Sequence, residues 1–298
     1  MSLKEEMLNY ARQAGGSFRT REHRERTVLA FCRFLREQNI QTRHIREIRV
    51  RQVQAYTSLM KARDLEMRTM QNSLSALRVV LTAAGRGPFA QHWELSNEAL
   101  GISGASRDGT HQPVSEELYL QVRARVLRDD PTGGIAAVLA LQWTFGLRAL
   151  EALCAEQDTL RRWTREIAKG KIEVIKGTKG GRPRSETVLD TGLAHAAVQE
   201  ALGVLQRTGV AYLVIGRSKT LKSAYDRYHR CLRKNGLRAE FSSHGLRYAW
   251  VRAAMRQYHE RGFSDREART AVAQDLGHGD GRGRYVEQVY YGHGQPKK

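Results

Sequence analysis

The first 85 residues contain no proline, and this feature restricts the fold more than any other in the sequence. Apolar residues recur there at helical spacing with little β-branched alternation, so the pattern predicts helices. In the second of them Val28, Phe31 and Leu35 form an apolar stripe surrounded by arginines, which indicates an amphipathic helix with a basic rim. The predicted helices span Leu3–Gln13, Arg21–Glu37, Ile45–Ala62 and Glu66–Ala84.

Residues 103–113 read SGASRDGTHQP. Glycine, serine and polar groups ending in proline resist packing, so this segment is predicted to be a linker. The length of the chain suits two compact domains. We therefore expect a helical domain over residues 1–102, the linker over 103–113 and a second domain over 114–298.

The second domain begins with helical patterns and then changes character. Two short β-type runs, Ile172–Lys176 and Ser185–Leu189, flank the sequence GTKGGRPR, whose glycines allow a tight reversal. This predicts a small hairpin with basic side chains at or near its tip. The fold class is thus mainly α with a small β-hairpin, the second domain being α+β. Its predicted helices are Ser115–Arg128, Ile135–Leu153, Leu193–Arg207, Leu221–Lys234, Leu246–Tyr258 and Asp265–Leu276.

The chain is strongly basic, with 50 Lys and Arg against 31 Asp and Glu and a net charge of +19. Residues 1–102 hold 17 basic and 10 acidic groups, and the remainder holds 33 and 21. A field of that sign attracts polyanions, so DNA or RNA is the first partner to consider. Because both halves carry the excess, both are expected to contact phosphate. The competing interpretation is a basic cytosolic protein without such a partner.

Several classes of protein are disfavoured. The cysteines Cys32, Cys154 and Cys231 are odd in number and widely spaced, which suggests neither a disulfide framework nor a zinc site. There is no secretory pattern at the start and no run of 18 apolar residues. We expect a cytoplasmic, nucleoid-associated protein without a membrane partner. Phosphate-binding glycine motifs and metal-ligand spacings do not occur either, so no metal or cofactor is expected.

Basic and imidazole side chains follow one another in the second half. Arg148 lies in TFGLRALEAL with Glu151 three residues later, a spacing that lets the carboxylate hold the guanidinium. His244 and Arg247 share one face at the start of a helix and suit a phosphate. His278 follows a helix stop at Gly277. Each has an ordinary alternative. Arg148 and Glu151 could form a surface ion pair, His244 could cap a helix, and His278 could be a polar residue at a helix end.

Tyrosines lie near the end of the chain, in RYVEQVYYGHG. Taken alone, such a tyrosine is usually a packing residue. The tyrosines there are Tyr285, Tyr290 and Tyr291.

Together these segments resemble the tyrosine recombinases, the family of Xer proteins and phage integrases. That family shows an Arg box with an acidic residue three later, a hairpin Lys, HxxR, LGH and a Tyr near the C-terminus. The chain has GLRALE, TKGGRPR, HGLR, LGH and QVYYG in the same order. The likeness covers residues 115–292 well and residues 1–100 in kind, as the family's helical, SAM-like core-binding domain. Tyr248 departs from it by standing where a second histidine often follows HxxR.

The resemblance implies a role for each matching residue. Arg148 and Arg247 would clamp the phosphate, with Glu151 as support. His278 would add a hydrogen bond. Lys179 would protonate the leaving 5′-oxygen, and His244 would help to deprotonate the nucleophilic tyrosine. Tyr290 is the first candidate for that nucleophile because QVYYG best matches the family's pattern; Tyr291 is the second and Tyr285 the third.

The implied activity is site-specific cleavage and rejoining of double-stranded DNA through a 3′-phosphotyrosyl intermediate, without metal or ATP, for integration, excision or inversion. The implied assembly is a homotetramer on synapsed DNA, with accessory DNA-bending proteins as further candidate partners. A type IB topoisomerase-like relaxing enzyme and a non-catalytic DNA-binding descendant of a recombinase are the alternatives. The retained arginines, lysine and histidines favour an active enzyme, and the separate helical domain favours recombination.

Overall fold

A computed structural model describes residues 1–106, 108–279 and 281–291. Helices dominate these ranges, and the strands in them form one two-stranded antiparallel sheet. The fold class predicted from the sequence is thereby confirmed. The chain divides into two compact units, Met1–Ser106 and Arg107–Lys298. The point of division falls inside the segment predicted to be a linker.

The first unit is a helical bundle around its own apolar core. Met7, Phe31 and Leu74 are among its fully buried side chains, each contributed by a different helix. The ring of Phe31 lies edge-on to that of Tyr56 at 5.3 Å, and this contact joins the helix that carries Tyr56 to the same core. The helices are α1 (Leu3–Gln13), α2 (Phe18–Glu37), α3 (Val50–Ala62), α4 (Met67–Ala83) and α5 (Gly87–Ala90).

Capping residues explain where these helices begin. Ser2 and Glu5 form a capping box at the start of α1. Ser17 accepts a hydrogen bond from the Thr20 amide, so α2 begins at Phe18, three residues before the predicted start. The predicted helix over Ile45–Ala62 is wrong in its first turn: Ile45–Glu47 is a 3₁₀ turn, and Ile48 is extended with ψ 126° before α3 begins.

The second unit packs around α7, a helix buried on almost every side. That accounts for its uniformly apolar sequence, since a helix without a solvent face needs no polar stripe. The hairpin strands pair from Lys171 opposite Thr187 to Val174 opposite Arg184. The helices are α6 (Glu116–Asp129), α7 (Gly134–Phe145), α8 (Ala149–Leu153), α9 (Gln157–Ile167), α10 (Thr191–Thr208), α11 (Leu221–Lys234), α12 (His244–Glu260), α13 (Asp265–Asp275) and α14 (Gly283–Val286); the strands are β1 (Lys171–Val174) and β2 (Arg184–Thr187), and residues Glu287–Tyr291 form a π-helical turn.

One long helix predicted over Ile135–Leu153 is in fact two. Gly146 adopts φ +61° and ends α7, and α8 begins at Ala149 after the extended residue Arg148. A Cβ on Gly146 would lie 2.7 Å from Cδ2 of Trp250, so the chain passes too close to the indole for any other residue. The break places Arg148 at the N-cap of α8 and not on a helix face.

Helix α9 was not predicted. Its buried residues are Leu160, Trp163 and Ile167, spaced three and four apart. The intervening residues are almost all charged or polar, so only a narrow apolar stripe marks the helix. The indole of Trp163 donates to the carbonyl oxygen of Glu173 at 2.9 Å and fixes α9 against β1.

Replacing Gly146 by alanine should lower the free energy of unfolding by about 2 kcal/mol or more, because the change adds both backbone strain and a clash with Trp250. Gly170 is the matched control: it has φ +77°, but a Cβ there meets no atom within 4 Å. Gly170→Ala should therefore cost only the strain, about 1 kcal/mol. Urea unfolding of both variants measures the difference, and equal losses would contradict the packing account.

Candidate active site

Arg148 is held by the carboxylate three residues after it. The Arg148 amide donates to Glu151 Oε2 at 2.6 Å, and its Nη1 donates to Oε1 at 2.8 Å. The Glu151 side chain has no exposed surface, whereas that of Arg148 is 24% exposed. Nearby guanidinium groups hold the pKa of Glu151 below its usual value despite its burial. Glu151 is therefore a charged anchor, and Arg148 presents part of its guanidinium to solvent.

Arg247 lies in α12 and is fully buried. Its Nη1 donates to the carbonyl oxygen of Gly146 at 2.6 Å, and its Nη2 donates to that of Leu276 at 2.7 Å. Arg148 Nη2 also donates to Leu276, at 3.3 Å. The two arginines thus share one carbonyl oxygen, which brings together side chains 99 positions apart in the sequence.

The two histidines border this pair of arginines. His244 is the first residue of α12, and His278 follows α13. Burial, and then the positive charge of Arg247, lowers the pKa of each imidazole to about 3. Both rings are therefore neutral near pH 7, and each has a nitrogen that can accept a proton.

Among the described residues, Tyr290 is the one of the three tyrosines whose hydroxyl is hydrogen-bonded to a histidine of this group. It is 3% exposed, and its hydroxyl lies 3.3 Å from Nε2 of His278. Its ring lies 6.0 Å from that of His278 and 6.2 Å from that of His244. Tyr285 also borders the group, through its ring at 4.7 Å from that of His278, whereas Tyr291 is 37% exposed. The hydroxyl of Tyr290 is therefore within hydrogen-bonding distance of the histidine of LGH.

Lys179 lies in the 3₁₀ turn between the hairpin strands and is exposed. Its positive charge is one of those that lower the pKa of His278. The lysine is thus near enough to act electrostatically on the site, while its amine remains in solvent.

Arg184, Tyr248 and His111 lie near the site, and none of them was predicted to be a site residue. Arg184, expected among the basic residues at or near the hairpin tip, is buried and binds Glu151. Tyr248 packs its ring 4.7 Å from Tyr290, and His111 lies 5.3 Å from His244, ring to ring. Arg184 follows a proline in an exposed-looking loop, so the sequence gives no sign of its burial. His111 lies in the segment predicted to be a linker.

The segment around His111 packs within the second unit. The Gly109 amide donates to the carbonyl oxygen of Gln288, and Gln288 Nε2 donates to Asp108 Oδ1 at 3.1 Å. A Cβ on Gly109 would collide with the carbonyl oxygen of Val289. These contacts fix the backbone of Gln288 and Val289, which immediately precede Tyr290.

Among residues 1–106, 108–279 and 281–291, no group of three or more His, Cys, Asp or Glu side chains is arranged to hold a metal ion. No helix in the same ranges is both long and apolar enough to cross a bilayer.

Two family models match the chain. The model described as Integrase matches residues 101–253, and the one described as Phage integrase, N-terminal, matches residues 1–90. The chain therefore belongs to the phage integrase family of tyrosine recombinases.

The fold is similar to that of solved recombinases. A lambda integrase tetramer bound to a Holliday junction aligns with a TM-score of 0.61 at 15% identity, over 100% of this chain and 80% of that one. The Tn1549 transposon integrase in complex with transposon right-end DNA gives 0.57 at 13%, over 99% and 96%. XerH bound to a palindromic difH substrate gives 0.56 at 19%, over 89% and 75%. No curated protein sequence is significantly similar to the chain.

The lowered pKa of His278 predicts a pH dependence of stability. In the unfolded chain this imidazole takes up a proton as the pH falls below about 6.5, whereas the folded one stays neutral until about pH 3. Its contribution to stability is therefore present above pH 6.5 and lost as the pH falls. With the ring partly exposed, His278→Gln should lessen the drop in the free energy of unfolding between pH 7.5 and pH 5 by about 1 kcal/mol. Urea unfolding at both values measures it, and an unchanged drop would contradict the assignment.

Proposed function

We propose that the chain is a site-specific recombinase that cleaves and rejoins double-stranded DNA through a 3′-phosphotyrosyl intermediate formed on Tyr290. The observation that carries the proposal is the Tyr290 hydroxyl at 3.3 Å from Nε2 of His278, in a group that also contains the His244 ring and two arginines bound to one carbonyl oxygen. This group brings a nucleophile, proton acceptors and a site for an anion together in one place in the second unit.

The arginines address the main obstacle to the reaction. A phosphodiester repels nucleophiles by its negative charge, and that charge grows on the non-bridging oxygens in the pentacoordinate transition state. Guanidinium groups bind such oxygens through paired hydrogen bonds. Arg148, with its partly exposed side chain, is the accessible donor. Arg247 is buried and contributes its positive charge from inside the second unit. It would turn toward the phosphate by giving up one of its two carbonyl partners.

The transfer itself conserves atoms and bonds. The Tyr290 oxygen attacks phosphorus and loses its proton, for which the neutral His278, hydrogen-bonded to the hydroxyl at 3.3 Å, is an acceptor and His244 is a second candidate. The bond from phosphorus to the 5′-oxygen breaks, and Lys179 protonates that oxygen. A 5′-hydroxyl from another strand reverses the step. The ester on tyrosine keeps the bond energy, so the chemistry requires neither ATP nor a metal.

Two further features support DNA exchange over other uses of this chemistry. The first 90 residues match the N-terminal phage integrase model, so the chain carries the family's separate N-terminal module. The lambda integrase and Tn1549 integrase structures contain bound DNA, and one lambda structure is a tetramer. We infer that both basic units of this chain contact the DNA and that it exchanges strands as a tetramer.

Tyr290→Phe should abolish the covalent protein–DNA adduct while leaving DNA affinity and thermal stability near wild type, because phenylalanine keeps the buried ring and removes only the hydroxyl. The measurement is an SDS-resistant complex with labelled DNA carrying a nick beside the cleavage site. Tyr285→Phe and Tyr291→Phe are the controls and should still form it. An adduct on the Tyr290→Phe protein would exclude this nucleophile. Relaxation of supercoiled DNA without strand exchange would favour a topoisomerase instead.

DNA binding should weaken steeply with salt, because neutralised phosphates release their counterions. If the basic units contact about six phosphates, affinity should fall roughly a thousandfold between about 50 and 200 mM salt. A titration at several salt concentrations measures the slope. Affinity that changes less than about tenfold over that range would argue against an electrostatic clamp.

A further inference from the structure

Arg184 is the most highly connected side chain near the candidate active site. Its Nη1 and Nη2 bind the two oxygens of Glu151 at 2.5 and 3.0 Å. Its Nη2 and Nε also bind Glu186 Oε2, at 2.6 and 3.0 Å. All three side chains are nearly or completely buried. A forked guanidinium between two carboxylates fixes both of them in direction as well as distance.

The same side chain touches the segment that carries His278. Arg184 Nε donates to the carbonyl oxygen of Asp275 at 2.9 Å. Gly277 adopts φ +68°, and a Cβ there would lie 2.7 Å from Arg184 Cδ. The turn that leads from α13 into His278 is therefore shaped around the stem of this arginine.

Arg184 thereby links three parts of the site that are distant in sequence. It begins β2, directly after the loop that bears Lys179. Through Glu151 it reaches the anchor of Arg148, and through Asp275 and Gly277 it reaches the turn before His278. It presents almost no surface to solvent, so contact with DNA is not its role.

The charges show what Arg184 does for Glu151. Glu151 accepts from both Arg148 and Arg184 on its Oε1. Without Arg184, Arg148 would compensate more of the charge of Glu151, and its guanidinium would be drawn inward, away from a phosphate. Glu186 would lose its guanidinium partner as well, and its Oε1 has no hydrogen-bond partner in the described part of the chain. Burial already raises the pKa of Glu186 to about 7.

We propose that Arg184 is a positioning residue: its forked guanidinium shares the charge of Glu151, fixes the direction of that carboxylate and so leaves Arg148 free to bind the scissile phosphate. This inference rests on the proposed function, since it concerns the same reaction. It assigns a part in the chemistry to a residue that touches neither the tyrosine nor the DNA.

The test uses Arg184→Lys, which keeps the positive charge and loses the fork. Arg123→Lys is the matched control, because Arg123 forms a half-buried ion pair of 2.6 Å with Glu200, between α6 and α10. A second variant, the double substitution Arg184→Gln with Glu186→Gln, removes one charge of each sign and guards against failure to fold from an unpaired buried carboxylate. Thermal unfolding and DNA affinity are measured for each.

Single-turnover cleavage is then compared on two DNA substrates, one with an ordinary scissile phosphate and one with a neutral methylphosphonate at that position. Arg184→Lys should slow cleavage of the phosphate on the order of 10- to 100-fold with DNA affinity nearly unchanged. On the methylphosphonate the loss should shrink to less than about threefold, because that group carries one negative charge fewer than the phosphate for Arg148 to neutralise. In an Arg148→Lys background Arg184→Lys should add little, since both changes act on one interaction.

Equal losses on the two substrates, or full additivity with Arg148→Lys, would overturn the proposal and make Arg184 a structural residue. Wild-type rates in Arg184→Lys would also overturn it. A wild-type protein that forms no tyrosyl adduct on either substrate would instead overturn the proposed function, a failure visible before any Arg184 variant is compared.

Discussion

The second unit is organised around the burial of guanidinium groups. An arginine keeps its charge in a protein interior, so a buried one requires hydrogen-bond acceptors. Arg184 takes them from Glu151 and Glu186. Arg247 takes two from the carbonyl oxygens of Gly146 and Leu276, and its Nε has no partner in the described part of the chain. Both carbonyls are available because a helix ends beside them. The helix breaks and the arginines therefore depend on each other.

This constraint also sets the protonation states around the tyrosine. Fixed positive charges next to half-buried imidazoles favour the neutral form, which is the form that accepts a proton. Tyr290 then lies beside a base and not beside another cation. Metal sites activate a nucleophile by a different route, through the charge of a bound ion. Here the activating charge belongs to side chains and is held in place by packing.

The sequence predicted the elements whose patterns are local. Helix α1 has its predicted bounds, and α13 begins at the predicted residue, Asp265. The break at Gly146 was missed because it depends on Trp250, which is 104 positions away. Helix α9 was missed because its stripe is narrow and its remaining residues are polar. Local pattern thus predicts elements, whereas long-range contacts decide where some of them end.

The same distinction holds for the site. Order and spacing of short motifs were enough to select residues that the structure brings together around Tyr290, namely Arg148, His244, Arg247 and His278. Arg184 was missed because burial of a hairpin arginine is visible only when its acceptors, on α8 and α13, are known. Tyr248, directly after HGLR, and His111, in the segment predicted to be a linker, contribute ring packing that the sequence did not predict. The residues that hold the reactive groups in place are accordingly harder to predict than the reactive groups themselves.

The central claim is that Tyr290 forms the bond to DNA, and mapping the modified residue tests it most directly. Trypsin cleavage after Arg284 leaves Tyr285, Tyr290 and Tyr291 in one peptide, and cleavage after Glu287 separates Tyr285 from the other two. Fragment-ion sequencing of the adduct trapped on nicked DNA then distinguishes the adjacent pair. The account predicts a nucleotide on Tyr290 alone; a nucleotide on Tyr291 or Tyr285, or none on any tyrosine, would contradict it.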